Sequence, residues 1–379
     1  MGNVALLPAL VNAHTHLEFS LFEKPFGQAG ESFARWLKQM VAWRREQPAV
    51  QGQEELALEQ GLRECKAAGV GVLGEIATPL FADAWNRRQP AYSQQQSATP
   101  HVRFLELLSL NPERMPMLAT LADEYCQRTA AACTLGLSPH APYTVHPELL
   151  SRTVRLSAQC KVPLAMHLAE SREELELLAT QTGELVELLQ SLTAWYPDAL
   201  PLNLRPLDYL RTLAQAHRAL IAHGNYLSPE EIEFAAQHRE RLSVVYCPRT
   251  HAWFDHDPYP LAAMLRAGVR MAVGTDSRAS NPDLSLGKEL QFIHQRHPSV
   301  DSAEILKMGT LNGAEALGIS QDYGSLTPGK TGRLAAVELP AENDSPYEVL
   351  MTSISTCQSL EKFIQRGSAP SASAENAPR

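Results

Sequence analysis

No Cys-x-x-Cys pair, no lysine- and arginine-rich run and no apolar stretch of about 20 residues occurs in this sequence, and each absence removes a class of protein. The six cysteines (Cys65, Cys126, Cys133, Cys160, Cys247 and Cys357) are scattered. They indicate neither a disulfide framework nor a zinc ribbon, and a reducing cytoplasm suits them. With a formal net charge of -9 and no cationic cluster, the chain is a poor partner for nucleic acid. No membrane span is available. The opening MGNVALLPALVNAHTH has no basic segment and is interrupted by Pro8 and Asn12, so it does not read as a signal peptide. With 44% hydrophobic and 20% charged residues in 379, what remains is a globular chain long enough for a large barrel or two domains.

Short apolar runs alternate with helical patterns, as in repeated βα units around a parallel sheet. Eight such runs are present, at 5–13, 70–77, 101–108, 133–139, 162–168, 219–225, 242–248 and 270–276. Between them stand helix patterns such as HPELLSRTVRLSAQ, SREELELLATQTGELVELLQSL and SPEEIEFAAQH, the last with a capping box at Ser228 and Glu231. The expected fold is therefore α/β, a (β/α)8 TIM barrel over residues 1–320. Residues 85–100 read as a polar surface loop and the proline-rich 195–206 as an insertion. Residues 321–366 read as strands and a helix outside the barrel, and 367–379 as a disordered tail.

In such barrels the chemistry sits where the strands end. The first run ends in VNAHTH, where His14 and His16 lie two apart and face one side of a strand, an arrangement that suits a divalent metal. The fourth run leads into Ser138, His140 and Tyr143. The fifth ends on His167, with Glu170 three residues on, the sixth on His223 and the eighth on Asp276. Singly, each has a structural reading; Asp276 before Ser277 suits a helix cap. Five histidines, a glutamate and an aspartate at one barrel mouth point to a site.

The blocks NAHTHLE (12–18), SPHAPYTV (138–145), MHLAES (166–171), AHGNYL (222–227), VVYCPRT (244–250), VGTDS (273–277) and MGTLNGAEALG (308–318), in this order, resemble the amidohydrolase superfamily. Within it they resemble the branch of hydrolytic deaminases and chlorohydrolases acting on N-heterocycles. The resemblance implies one divalent metal held by His14, His16, His167 and Asp276, with His223 beside the metal-bound water or serving as a fifth ligand. The strand-four lysine of the binuclear members is absent. Three imidazoles and a carboxylate suit Zn²⁺ first and Fe²⁺ second, and a bound water of lowered pKa is the expected nucleophile. Glu170 is placed to protonate a ring nitrogen, as a glutamate that is not a ligand does in zinc deaminases; as a helix cap, it would do less.

The implied activity is hydrolytic deamination of an aminated heterocycle, such as aminodeoxyfutalosine or an adenosine derivative. The alternatives are a chlorohydrolase, a cyclic-amide hydrolase or a non-catalytic barrel. His140 and Tyr143 are candidate substrate contacts. So are Arg249 and His251, although a surface loop would use the same residues; CPRTHAWF stands where relatives have a Ser-Asn pair after Cys-Pro. Relatives also carry a longer segment ahead of the first histidine motif, half of a small β-sandwich, of which the resemblance makes 321–366 the C-terminal remnant in a small-molecule hydrolase of this kind. A misassigned start, a fragment or a lost sandwich would each leave the strand near 334–339 with an unpaired edge, apolar and prone to self-association into a homo-oligomer.

Overall fold

The computed structural model describes residues 3–46, 52–84, 100–127, 133–340 and 345–368. The loop expected at 85–100 and the tail expected at 367–379 fall almost wholly outside the described residues. The apolar runs become strands: β1 (Val4–Pro8), β2 (Leu10–His16), β3 (Val70–Ala77), β4 (His101–Leu107), β5 (Cys133–Pro139), β6 (Leu164–Leu168), β7 (Ala219–His223), β8 (Leu242–Tyr246), β9 (Met271–Val273), β10 (Asp276–Ser277), β11 (Leu334–Glu338) and β12 (Gln358–Ser359). Strands β2 to β9 pair in parallel in sequence order, and β10 pairs in parallel with β2, Asp276 opposite Thr15 and Ser277 opposite His16. Because β9 and β10 belong to one short stretch, the sheet curls until its last strand lies against its first, in the manner of a TIM barrel.

The concave face carries Val11, Ala13, Val72, Val102, Phe104, Ala165, Leu220, Val245 and Ala272, all buried. Leucines of the opposite strand faces bury against the surrounding helices. Strand alternation puts Glu106 on the face of Val102 and Phe104, and His167 on that of Ala165. Gly274 lets β9–β10 close on β2: a Cβ there would lie 2.7 Å from the His14 carbonyl oxygen.

Helices cover the outside, among them α1 (Phe33–Glu46) and α2 (Gln53–Ala67) after β2. The capping box at Ser228 and Glu231 is formed. The pattern at 171–192 divides into Arg172–Thr180 and Glu184–Ser191, because Gln181 is left-handed and Gly183 follows. No helix among the described residues is long and apolar enough to cross a membrane.

Two expectations are corrected. The first apolar run is two strands, broken between Pro8 and Leu10, and only β2 joins the curled sheet. The strand at 334–338 is not left with an unpaired edge: β1 pairs antiparallel along it, from Val4 opposite Glu338 to Pro8 opposite Leu334, and β12 pairs on its other side. Ala335, Ala336 and Val337 are fully buried, so the exposed apolar surface expected there does not form. The physical reason is the break itself, which releases the five residues of β1 to supply the missing partner.

Candidate functional site

At the carboxyl ends of β2, β6, β7 and β10 the side chains of His14, His16, His167, His223 and Asp276 converge, with His140 just beyond β5. His14 has ring centroids at 5.0, 5.0 and 5.5 Å from those of His16, His167 and His223. The Nε2 atoms of His16 and His167 face each other at 3.3 Å, and Asp276 Oδ1 lies 3.7 Å from Nε2 of both His14 and His16. His14 Nε2 is buried without a hydrogen-bond partner. A buried polar atom is rarely left alone unless something is meant to meet it.

The electrostatics suit metal donors. Burial first, then the neighbouring His14, push His16 down to about 3; burial does the same to His223, and to His167 more strongly. Neutral imidazoles are the form that binds metals. Burial pushes the Asp276 carboxyl up, but the neighbouring His14, His223 and His16 outweigh this and hold it well below the usual carboxylate range.

The framework is fixed by backbone and by other side chains. His167 Nδ1 lies 3.0 Å from the carbonyl oxygen of His140, which orients the ring. Ser280 Oγ donates to Asp276 Oδ2 at 2.8 Å, and Thr15 Oγ1 to the Asp276 carbonyl at 3.0 Å. Ala169, His223 and Asp276 have φ of 53°, 68° and 55°, left-handed conformations that non-glycine residues adopt at a cost. His223 ends β7 and Asp276 opens β10, and both side chains face the cluster.

Glu170 stands over this cluster, Oε1 3.4 Å from His223 Nε2. It does not cap the helix that follows. Ser171 does, its Oγ accepting from the Glu174 N–H at 3.2 Å. Glu174 in turn accepts from the N–H groups of Ala169 and Glu170 at 2.9 and 2.8 Å, which pins the left-handed turn and leaves the Glu170 carboxyl facing inward. Burial, reinforced by Asp276, Glu174 and Glu173, pushes that carboxyl well above the usual range.

The cluster floors a cavity of about 620 Å³. Phe33, Trp36 and Met40 of α1 and Leu185, Leu188 and Leu189 of the helix Glu184–Ser191 form an apolar wall; His140, Tyr143 and Glu106 lie on its polar side. His140 Nδ1 is 2.6 Å from Thr144 Oγ1. The structure does not bring Arg249 and His251 to this cavity, which corrects their expected place. The Arg249 guanidinium binds Asp283 at 2.8 Å and the buried Glu289 at 2.5 Å, and His251 Nε2 faces the Asp257 carbonyl at 3.0 Å. Arg249→Met should therefore strand the Glu289 carboxylate and cost about 3–5 kcal/mol in urea unfolding, with KM unchanged. A raised KM at unchanged stability would return Arg249 to the substrate.

A sequence profile of the amidohydrolase family matches residues 5–362. The chain belongs to the amidohydrolase family. As an amidohydrolase it is a hydrolase acting on carbon–nitrogen bonds. It is 28% identical over 349 residues to the 5-methylthioadenosine/S-adenosylhomocysteine deaminase of Moorella thermoacetica, covering 89% of this chain and 74% of that protein. It is 29% identical over 331 residues to the aminodeoxyfutalosine deaminase of Deinococcus radiodurans, covering 84% and 74%. The crystal structure of Helicobacter pylori aminofutalosine deaminase in complex with methylthio-coformycin superposes with a TM-score of 0.77 at 23% identity, covering 94% of this amidohydrolase and 84% of that chain; at that identity the likeness is one of fold.

Two features of this amidohydrolase site were not read from its sequence. The apolar wall comes from helices whose placement no local pattern encodes. Glu106 is one carboxylate inside the apolar run HVRFLELL, yet it stands next to the end of β4, where the strand-end rule, applied to that run, finds it.

Proposed function

We propose that this amidohydrolase is a hydrolytic deaminase of an aminated purine-type compound, an adenosine derivative or aminodeoxyfutalosine, and that His14, His16, His167 and Asp276 hold one divalent cation, Zn²⁺ before Fe²⁺. The observation that carries the reading is the buried, partnerless Nε2 of His14 amid neutral imidazoles and one carboxylate. That donor set fits a borderline-hard cation. Bound there, the cation supplies water ionised near neutral pH, its pKa lowered from 15.7 to roughly 7.

The chain's own residues do the rest. The apolar wall holds the ring system and excludes water from it. Glu170, whose carboxyl burial pushes well above the usual range, delivers a proton to the ring nitrogen beside the amino-bearing carbon. His223, 3.4 Å away, carries the Glu170 carboxyl on one side and faces the cluster on the other. The net reaction takes up one water and releases ammonia, leaving a carbonyl on the ring. His140 and Tyr143 contact the substrate from the β5 side. The relatives' names support a nucleoside-like substrate. A reducing cytoplasm fits the free cysteines found among the described residues.

Ammonia release from metal-loaded protein decides the matter. Adenosine, its 5′-substituted derivatives, aminodeoxyfutalosine, pterins, aminopyrimidines and chlorotriazines are the compounds to compare. Turnover is expected among the purine-type compounds. Activity confined to halogenated or ring-amide compounds would overturn the reading.

A further inference from the structure

Six glutamates are buried among the described residues: Glu75, Glu106, Glu170, Glu174, Glu231 and Glu289. Four are bound within the fold. Glu75 accepts from the Leu17 N–H, Glu174 from those of Ala169 and Glu170, Glu231 from those of Leu207 and Ser228, and Glu289 from Arg249 and Asn281. Glu170 belongs to the proposed reaction. Glu106 is left over: it is 6% exposed, it lines the cavity, and its Oε1 is buried with no hydrogen-bond partner.

The nearby cation does not serve it. Arg44 pairs with Glu18 at 3.0 Å and forms no hydrogen bond to Glu106. A side-chain oxygen of Glu106 lies within 4.8 Å of ring nitrogens of His140 and His167, so the carboxylate faces the end of the cavity where the reaction takes place. An unpaired buried carboxylate weakens a fold, and no element here gains from it. Burial pushes the Glu106 carboxyl up to about 7; in its ionised form it can only accept, and the partner missing for that form must donate.

We propose that Glu106 is a specificity-determining substrate contact, accepting a hydrogen bond from an N–H or O–H group other than the departing amine, so that the cavity selects purine-type compounds carrying a donor at that place. The proposal rests on the deaminase reading. The same three residues could be read as a second cation site. Arg44, whose positive charge acts on both Glu106 and His140, opposes that, and His167 already has a place in the first site.

The test compares the metal-loaded wild type with Glu106→Leu on adenosine, its 2′-deoxy, 3′-deoxy and 5′-deoxy analogues, and adenine. In the wild type, removal of one particular donor should lower kcat/KM by about 10²-fold or more, chiefly through KM. Glu106→Leu should lose about as much on the parent compound and show no further loss on the analogue lacking that donor. An equal penalty on every compound, with no such coupling, would overturn the proposal.

Two readouts stand apart from turnover. Glu106→Leu should raise Tm by roughly 2–4 °C, because a buried carboxyl without a hydrogen-bond partner gives way to an apolar side chain of similar size. A fall of that size would assign Glu106 to the framework and refute the contact. Metal content should be equal in the two proteins, and loss of one equivalent in the variant would mark a second cation site instead. If the wild type releases no ammonia from any compound, the deaminase reading fails, whereas the Tm shift and metal content still decide whether Glu106 is a free acceptor.

Discussion

Glu170→Gln should reduce turnover by about 10²–10⁴-fold while metal content and Tm stay close to those of the wild type. Glutamine keeps the size and shape of the side chain but cannot hold and release a proton. A helix-end carboxylate is worth only about 0.3–1 kcal/mol, so a capping role would leave the rate nearly intact. The local structure separates the two roles before any measurement: Ser171 caps the helix, and Glu174 binds the backbone N–H groups on either side of the turn. Nothing in the helix therefore depends on the Glu170 carboxyl, which lies 3.4 Å from His223. Glu174→Gln is the informative companion. It weakens acceptance from Ala169 and Glu170, whose strained turn it holds, and should lower kcat by a smaller factor together with some loss of Tm. Full metal with near-normal rate in Glu170→Gln would remove this residue from the mechanism.

Much of this site is legible in the sequence because its parts sit at strand ends, and strands announce themselves by short apolar runs. His14 and His16 follow one such run, His167 closes another, and Asp276 ends a third. What could not be read falls into two kinds. One is chain geometry: Pro8 breaks the first run, so that β1 leaves the curled sheet and pairs with β11, which no periodicity reveals because both halves are apolar. The other is the use of a polar side chain. Arg249 beside Cys-Pro looks like a hand offered to a substrate, and only the fold shows that Glu289, forty positions on in the sequence, has taken it. Glu75 and Glu106 are each the lone carboxylate of an apolar strand. One is tied to the Leu17 N–H and the other to nothing, a difference that exists only in three dimensions.

Asp276→Asn should weaken metal binding by more than about 100-fold, since even outer-shell partners of a metal ligand cost 10–100-fold and this carboxylate stands in the cluster itself. Asparagine is the right probe here. Asp276 has φ of 55°, which asparagine tolerates better than alanine, so the substitution removes the charge without adding backbone strain. It also keeps an oxygen for the 2.8 Å hydrogen bond from Ser280. The metal-free variant should therefore fold as the metal-free wild type does. The difference appears on adding Zn²⁺: at a free concentration near 100 times its Kd the wild type gains about 2.7 kcal/mol, and the variant at the same concentration gains less than about 0.5 kcal/mol. His223→Ala should part company with it, retaining most of the metal-induced gain while losing turnover, because His14 and His16 still face Asp276, and His167 still faces His16, without it. If Asp276→Asn gains as much from Zn²⁺ as the wild type, the carboxylate is not a ligand; if His223→Ala loses the gain as well, the cation is held by five side chains and not four.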